Sequence, residues 1–175
     1  ACTSIASIEV TGPDAISLSI SGDDLTCAGD ANATATVVPA GGTVAGDYNY
    51  QWDDDNMQTS ATAVDLPEGT YILVVTDDNG CSATESITVT APSPIDLDAS
   101  GINVTCNGAS DGTATVMPSG GTVLADYTYQ WDDDDAQTSA TAIDLMPGVY
   151  TVVVSDDNGC SESIAVSVNE PLALT

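Results

Sequence analysis

The sequence contains no lysine, arginine, histidine or phenylalanine, while 27 of its 175 residues are aspartate or glutamate, so its formal charge is −27. Without a basic side chain nothing on the surface can neutralise phosphates, which excludes nucleic acid and anionic lipid headgroups as partners. Histidine-dependent triads, imidazole metal ligands and Schiff-base lysines are excluded as well. Because side-chain salt bridges cannot form, stability has to come from apolar burial, hydrogen bonds, disulfides and dissolved cations acting against carboxylate repulsion.

Long apolar runs are also missing. No segment approaches the ~18 apolar residues of a membrane-spanning helix, which predicts no direct membrane insertion. The sequence starts at Ala1 without the pattern of a signal peptide, so we expect it to be an internal part of a longer chain. With 42 % hydrophobic and only 15 % charged residues, the composition is that of a folded protein and not of a disordered acidic tail.

The chain is a tandem repeat. An offset of 79 residues aligns residues 14–92 with 93–171 without a gap, at about 44 identical positions. Residues 1–13 match the end of a preceding repeat, and residues 172–175 begin another. The linkers between repeats are very short, so we expect the repeats to stack as a semi-rigid rod.

Strand signals are regular within each repeat. Residues 16–20, 34–38, 48–52, 70–76 and 84–90 are β-rich or alternate apolar with polar residues, and Gly, Pro and Asn clusters separate them. Asn79-Gly80 is a candidate type I′ turn. About seven short strands per repeat predict an all-β protein made of tandem immunoglobulin-like antiparallel β-sandwich repeats of 79 residues.

Each complete repeat carries two cysteines. We predict disulfides from Cys27 to Cys81 and from Cys106 to Cys160, which would stabilise small domains and imply an oxidising compartment. Cys2 is then the second cysteine of a repeat whose first half is absent, and it is left unpaired. A zinc site is the weaker interpretation, because the cysteines are isolated and have no histidine companion.

A family resemblance rests on segments 104–116, 118–122, 127–131, 145–150 and 156–160. Together they resemble the SprB repeat of long surface adhesins of Bacteroidota, including the mobile filament protein of gliding motility, which is associated with type IX secretion. The resemblance covers both repeats and implies an extracellular location on a bacterial cell surface. The sequence departs from the family pattern at 44–47 and 123–126, where a proline-rich step is usual, and in its unusually acidic turn after the tryptophan.

That acidic turn is the strongest chemical feature. Adjacent carboxylates at a loop tip repel one another unless a hard cation lies among them, and Ca²⁺ accepts six to eight oxygens. A solvated acidic loop is the favoured interpretation, because no EF-hand pattern is present, and Ca²⁺ is a possible cofactor. The candidate ligands are Asp53, Asp54, Asp55, Asp132, Asp133, Asp134 and Asp135. Beside the hairpin turns, Asp77, Asp78, Asp156 and Asp157 are expected to cap their own backbone.

Aromatic residues alternate along one strand of each repeat and could either stack on sugars or fill the core, and the core is the favoured interpretation. Tyrosines two residues after Gly69 and Gly148 suggest a tyrosine corner. The predicted core aromatics are Tyr48, Tyr50, Trp52, Tyr71, Tyr127, Tyr129, Trp131 and Tyr150.

We expect no enzyme activity, because a glycosidase needs two carboxylates beside a cleft, and small repeated sandwiches offer no obvious cleft. The predicted function is a structural stalk or spacer in a long extracellular adhesin or surface filament. A carbohydrate- or surface-binding module and a self-assembling filament subunit are the alternatives. The expected partners are neighbouring repeats of the same chain, other copies in a filament, or a polysaccharide or surface.

Overall fold

The computed structural model describes residues 4–9 and 11–173. Within these ranges the regular structure consists of β-strands, and no helix long and apolar enough to cross a membrane occurs there. Contacts divide the chain into two compact units. Unit 1 reaches Asp24 and resumes with Ala31–Thr90, whereas unit 2 consists of Leu25–Asp30 and the chain from Ala91 onward. The break falls near the repeat boundary, except that a six-residue loop of the first repeat belongs to unit 2.

Unit 1 contains two three-stranded antiparallel sheets. Its strands are β1 (Ser17–Gly22), β2 (Ala33–Ala40), β3 (Asn49–Trp52), β4 (Thr62–Leu66), β5 (Gly69–Thr76) and β6 (Ser82–Val89). The strand orders are β1-β2-β4 in one sheet and β3-β5-β6 in the other.

Unit 2 repeats this arrangement. Its strands are β7 (Asp96–Ile102), β8 (Gly112–Ser119), β9 (Thr128–Trp131), β10 (Thr141–Leu145), β11 (Gly148–Ser155) and β12 (Ser161–Val168). The sheets have the orders β7-β8-β10 and β9-β11-β12, all pairings being antiparallel.

These orders are those of an immunoglobulin-like sandwich that lacks one strand. In the seven-stranded form the sheets are ABED and CFG, and here the pairs correspond to ABE and CFG. Six strands per unit replace the approximately seven predicted, because the acidic segment 53–61 connects β3 directly to β4. The predicted fold class, a tandem immunoglobulin-like β-sandwich, is confirmed.

Both sheets of a unit contribute to one core. In unit 2, Val116 of β8, Leu145 of β10, Trp131 of β9, Val152 of β11 and Val166 of β12 belong to a single buried cluster. Alternation explains this arrangement, since successive side chains of a strand point to opposite faces and only every second one reaches the core. In β2, for example, Ala33, Ala35 and Val37 are buried while the residues between them are half-exposed.

Strand β4 was not among the strand segments predicted from sequence. Its pairing with β2 shifts register between Ala63 and Leu66, and Asp65 lies in the left-handed region with φ of 55°. Such a bulge inserts an unpaired residue and interrupts the apolar alternation that marks a strand. Asp144 in β10 has the same conformation, with φ of 57°.

The predicted type I′ turn at Asn79-Gly80 is wrong. The Gly80 N–H donates to the Asp77 carbonyl at 3.0 Å, and within this turn only Gly80 has a positive φ, 84°. A type I′ turn needs positive φ at both central residues, whereas a three-residue loop ending in a left-handed glycine is the turn with a G1 bulge. Gly159 closes the equivalent hairpin of unit 2 with the same φ.

Candidate functional site

The acidic turn after Trp52 is a network of hydrogen bonds to carboxylates. Asp54 is only 5 % exposed, and its oxygens accept hydrogen bonds from the backbone N–H groups of Asn56 (3.1 Å) and Gln58 (2.9 Å) and from the Gln58 side-chain amide (3.0 Å). Burial raises the pKa of Asp54, but the hydrogen bonds from Gln58 and Asn56 outweigh it and the pKa lies below its ordinary value. Asp133 of unit 2 has the same donors in the equivalent residues, Asp135 and Gln137, and its pKa is lowered for the same reasons.

Sequence reasoning missed Gln58, which ties the acidic turn to the sheet. Its side chain donates to the Val64 carbonyl at 2.9 Å and accepts from the Val64 N–H at 3.0 Å, so the amide pairs with β4 as a neighbouring strand would. Gln137 makes the same two bonds with Ile143. The sequence signal that could have identified this residue is that a glutamine occupies the equivalent position in both repeats.

The first aspartate of the turn binds backbone. Asp53 accepts a hydrogen bond from the Ile72 N–H at 2.7 Å, and Asp132 accepts one from the Thr151 N–H at 2.7 Å. Within the described ranges, no group of three or more carboxylate, thiol or imidazole side chains is placed to hold a metal ion. The candidate calcium ligands of the two acidic turns therefore do not form a cluster of donors in the described ranges, and calcium binding stays a prediction. These candidates are Asp53, Asp54, Asp55, Asp132, Asp133, Asp134 and Asp135.

Asp77 organises the hairpin that carries the second cysteine of its repeat. The side chain is 2 % exposed and accepts hydrogen bonds from the backbone N–H groups of Thr43 (2.9 Å), Asn79 (3.0 Å) and Cys81 (2.8 Å). The Thr43 bond is the main cause that holds the pKa of Asp77 below its usual value. The expected backbone-capping role is therefore seen directly, and the cap also reaches the distant Gly-Gly-Thr segment.

Unit 2 contains the same cap. Asp156 accepts from the N–H groups of Thr122 (2.8 Å), Asn158 (3.0 Å) and Cys160 (2.9 Å), and its pKa is lowered, chiefly by the Thr122 bond. Each hairpin is thus held by one ionised carboxylate that accepts three backbone hydrogen bonds.

The tryptophans are core residues. Trp52 is 0 % exposed and Trp131 is 1 % exposed. Their indole N–H groups donate to the carbonyls of Ser60 (2.9 Å) and Ser139 (2.8 Å), which satisfies the single polar group of each ring. A buried ring cannot stack on a sugar in solution, so this geometry favours the structural interpretation.

The tyrosines are buried or half-buried. The Tyr71 hydroxyl donates to the Pro67 carbonyl at 2.8 Å and that of Tyr150 to the Met146 carbonyl at 2.8 Å, which is the tyrosine-corner geometry. Tyr48 and Tyr127 bond to the carbonyls of the Gly-Gly turns in a similar way. Burial, and then the nearby Asp47, raises the pKa of Tyr50, and Tyr129 is shifted upward by burial and by Asp126.

The predicted disulfide pairing is wrong. Cys27 is bonded to Cys160, with an S–S distance of 2.04 Å, a Cα–Cα distance of 5.6 Å and a sequence separation of 133 residues. The bond forms within unit 2, because the loop Leu25–Asp30 of the first repeat belongs to that unit. Cys81 and Cys106, the predicted partners, are exposed free thiols. Cys2 lies outside the described residues.

The length of one strand explains why two cysteines of the same repeat do not pair. In unit 2 the loop that carries Cys106 lies beyond the end of β12, where the Gly108 N–H donates to the Glu170 carboxylate at 3.0 Å. Cys160 directly precedes the start of β12, which has eight residues and therefore spans about 24 Å at ~3.4 Å per residue. A disulfide requires Cα atoms within about 7 Å, so the two thiols cannot meet.

Comparison with known families identifies one module. The SprB repeat matches this chain at residues 19–57 and 102–136, which together make up less than half of it. The matches fall at equivalent places in the two repeats and confirm the predicted resemblance there. The segments 145–150 and 156–160, on which the prediction also rested, lie outside the matched residues. No protein of curated function is significantly similar to the chain.

Solved structures similar to this chain contain immunoglobulin domains. DIP-gamma IG1+IG2 is 12 % identical with a TM-score of 0.41, and the match covers 91 % of this chain and 99 % of that one. The N-terminal four Ig domains of Dscam1 isoform 6.44 are 12 % identical with a TM-score of 0.37, covering 94 % of this chain and 48 % of that one. The chain spans about half the length of the Dscam structures that it matches.

Proposed function

We propose that this chain is a pair of structural spacer repeats from the stalk of a long extracellular adhesin or surface filament of a bacterium. The observation that carries the proposal is the disulfide from Cys27 of the first repeat to Cys160 of the second. A bond of this kind supplies a covalent path between consecutive repeats in addition to the peptide chain. Under tension, force can therefore pass from one repeat to the next without extending the polypeptide between these two cysteines.

The location is supported by two observations. The SprB repeat is a module of surface proteins, and the chain matches it in both repeats. A structural disulfide persists in an oxidising compartment outside the cytoplasm.

The charge suits an exposed filament. A formal charge of −27 with no basic residue makes neighbouring stalks repel one another over about 8 Å at physiological salt. The absence of lysine and arginine also removes the cleavage sites of trypsin-like proteases. Both properties favour a long, separated and protease-resistant spacer.

The sugar-binding alternative has less support from the geometry. Its candidate platform was the alternating aromatic row, but Trp52 and Trp131 are buried and their N–H groups are bonded within the fold. Replacing Trp52 would disturb the core and could not test binding cleanly. Assembly of copies into filaments is the other alternative, and electron micrographs of the isolated chain test it.

Single-molecule stretching of the chain between two handles tests the stalk proposal. With the disulfide intact, the residues between Cys27 and Cys160 cannot extend. Reduction should lengthen the fully stretched chain by about 450 Å, since the 133-residue separation contributes ~3.4 Å per residue.

The matched control is Cys27→Ser, which should show the long extension even without reductant, while Cys81→Ser should behave as the unaltered chain. An extension that does not change on reduction would contradict the covalent path. Binding of the intact chain to a glycan array would instead favour the binding-module alternative.

A further inference from the structure

The disulfide between Cys27 and Cys160 is an example of a complete junction between two consecutive repeats. We call Leu25–Asp30 the donor loop and Asp156–Glu162 the acceptor hairpin. They are joined by the disulfide between Cys27 and Cys160, and the side-chain amide of Asn158 donates at 3.3 Å to the carbonyl of the residue before Cys27. In terms of the repeats, a loop of one repeat is held by a hairpin of the next.

The first repeat has an acceptor hairpin of its own, residues 77–83, with an unused thiol. The backbone N–H of Cys81 donates to Asp77 at 2.8 Å, as that of Cys160 donates to Asp156 at 2.9 Å. The turn glycine of both hairpins has a φ of 84°. The backbone at Cys81 therefore makes the same hydrogen bond, in the same kind of turn, as the backbone at Cys160, but the Cys81 thiol is exposed and free.

The second repeat has a donor loop of its own, residues 104–109, which also has an unused thiol. The Ala109 N–H donates to the Cys106 carbonyl at 3.1 Å, as the equivalent N–H in the first repeat donates to the Cys27 carbonyl at 3.3 Å. The glycine of this turn has a positive φ in both loops, 83° at Gly29 and 78° at Gly108. Both halves of the junction thus have the local backbone conformation of their bonded counterparts.

The surface beside Cys106 is an open groove. Leu172 is 95 % exposed there, whereas its equivalent in the first repeat, Ser93, lines the cleft around the Cys27–Cys160 bond. The acceptor hairpin lines that cleft, whereas the residues that line the groove at Cys106 in the described part of the chain include no hairpin. The groove is lined by Thr105, Cys106, Asn107, Pro171, Leu172 and Ala173.

We propose that the acceptor hairpin of a following repeat occupies this groove and bonds to Cys106, and that Cys81 bonds to the donor loop of a preceding repeat. Successive repeats are then joined by an unbroken series of disulfides, each linking the first cysteine of one repeat to the second cysteine of the next. This inference rests on the proposed stalk function and adds the pairing of its free thiols. The pairing can fail while the stalk proposal holds, and the stalk proposal can fail while the pairing holds.

The chemistry requires an oxidant, which we take to be a small-molecule disulfide such as oxidised glutathione. The Cys106 thiolate attacks that disulfide, forms a mixed disulfide and releases one glutathione thiolate. The thiolate of the acceptor hairpin then attacks the Cys106 sulfur and releases the second. Each protein disulfide thus oxidises two thiols, reduces one molecule of oxidised glutathione and releases two protons to solvent or to the leaving thiolates.

The test extends the full chain by one repeat. A second copy of residues 93–171 is joined after Pro171, in a Cys2→Ser background, and the protein is folded in glutathione redox buffer. Free thiols are alkylated, and bridged peptides are mapped by mass spectrometry after digestion with an acid-active protease, because trypsin has no site. In the extended protein, Cys106 should be bridged to the added copy of Cys160. Its alkylation should fall about tenfold or more relative to the original chain, because a tethered thiol reacts at millimolar effective concentration.

Two control variants isolate the pair. Cys160→Ser in the added copy should return Cys106 to full alkylation, and Cys106→Ser in the added copy should leave the bridge intact. The proposal is overturned if Cys106 stays alkylated in the extended protein, or if it bridges to Cys81 or to the Cys160 of its own repeat. The stalk proposal is judged separately by stretching of the original chain.

Discussion

Two hairpins in this protein are built alike and differ in one covalent bond. The hairpin at Asp77 and the hairpin at Asp156 have the same three backbone donors to the carboxylate, yet Cys160 is bonded and Cys81 is free. The difference does not come from local structure. Cys160 is bonded because the loop with Cys27 belongs to unit 2 and brings its sulfur to that hairpin.

The 79-residue sequence repeat and the disulfide-bonded structural unit are therefore not the same segment of the chain. Each repeat supplies a core of two sheets, but Cys27, the first cysteine of the first repeat, is bonded within unit 2. A single excised repeat would therefore have the strands of the fold without its disulfide.

The largest effect is expected for the disulfide. Cys27→Ser should lower the free energy of unfolding by about 5 kcal/mol, because closing a loop of 133 residues restricts the unfolded chain by that amount in the chain-entropy argument. Denaturant titration measures the change. Cys160→Ser should match it, while Cys81→Ser and Cys106→Ser should have little effect. Equal losses in all four variants would contradict the asymmetry between the hairpins.

The second largest effect is expected for the hydrophobic cores, each of which contains one fully buried tryptophan. Trp52→Ala should cost about 3–5 kcal/mol, as expected for removing a fully buried ring. The remaining Trp131 reports on unit 2 by fluorescence, and its environment should stay native in the absence of denaturant. A cost below about 1 kcal/mol would mean that the ring is not a core residue.

The third effect is the acid sensitivity of the hairpins. The pKa of Asp77 and that of Asp156 are lowered in the folded protein from an ordinary value of 3.8. Between the folded and unfolded pKa values the unfolded chain binds more protons, so stability rises with pH. The contribution is present above about pH 4 and is lost as the pH falls through the lower folded pKa.

Asp77→Asn should therefore flatten the fall of the melting temperature below pH 4, and Asp156→Asn should do the same in unit 2. Thermal melts followed by circular dichroism in a pH series measure this slope. Glu68→Gln, at an exposed turn, serves as the charge-matched control. If the control flattens the slope as much as the hairpin variants, general charge repulsion and not the cap governs the acid response.

The smallest effect is expected for calcium. The acidic turns use Asp54 and Asp133 as acceptors of protein hydrogen bonds, so added Ca²⁺ should raise the melting temperature only as much as Mg²⁺ at equal ionic strength. Melts in EDTA, Mg²⁺ and Ca²⁺ measure this. A rise specific to Ca²⁺ that disappears in Asp54→Asn would support the calcium site.

Much of the fold could be predicted from local signals. Alternation predicts β2 and β3, and glycine-rich turns separate the strands, because burial of one sheet face imposes a period of two. Strand β4 was missed, since the left-handed Asp65 interrupts that period. The hairpin turn was assigned the wrong type because Asn-Gly is compatible with both a type I′ turn and a type I turn with a bulge.

The site was only partly predictable. The capping role of Asp77 follows from the tendency of aspartate to accept hydrogen bonds from nearby turn N–H groups. Its bond to Thr43, 34 residues away, depends on how the Gly-Gly-Thr segment returns to the hairpin, and no local pattern encodes that distance. Gln58 was overlooked because an amide in a loop does not indicate the strand with which it pairs, although the same glutamine recurs in both repeats.

By itself the sequence determined the 79-residue period, the all-β class, the absence of any basic partner-binding surface and the tryptophans as candidate core residues. Composition and alternation reflect local chemistry and the burial of one sheet face, so the sequence alone determines them. Only the tertiary structure decided which cysteines are bonded. A disulfide depends on two Cα atoms lying within a few ångströms, here 5.6 Å, and that distance is set by a loop of one repeat that joins the fold of the next.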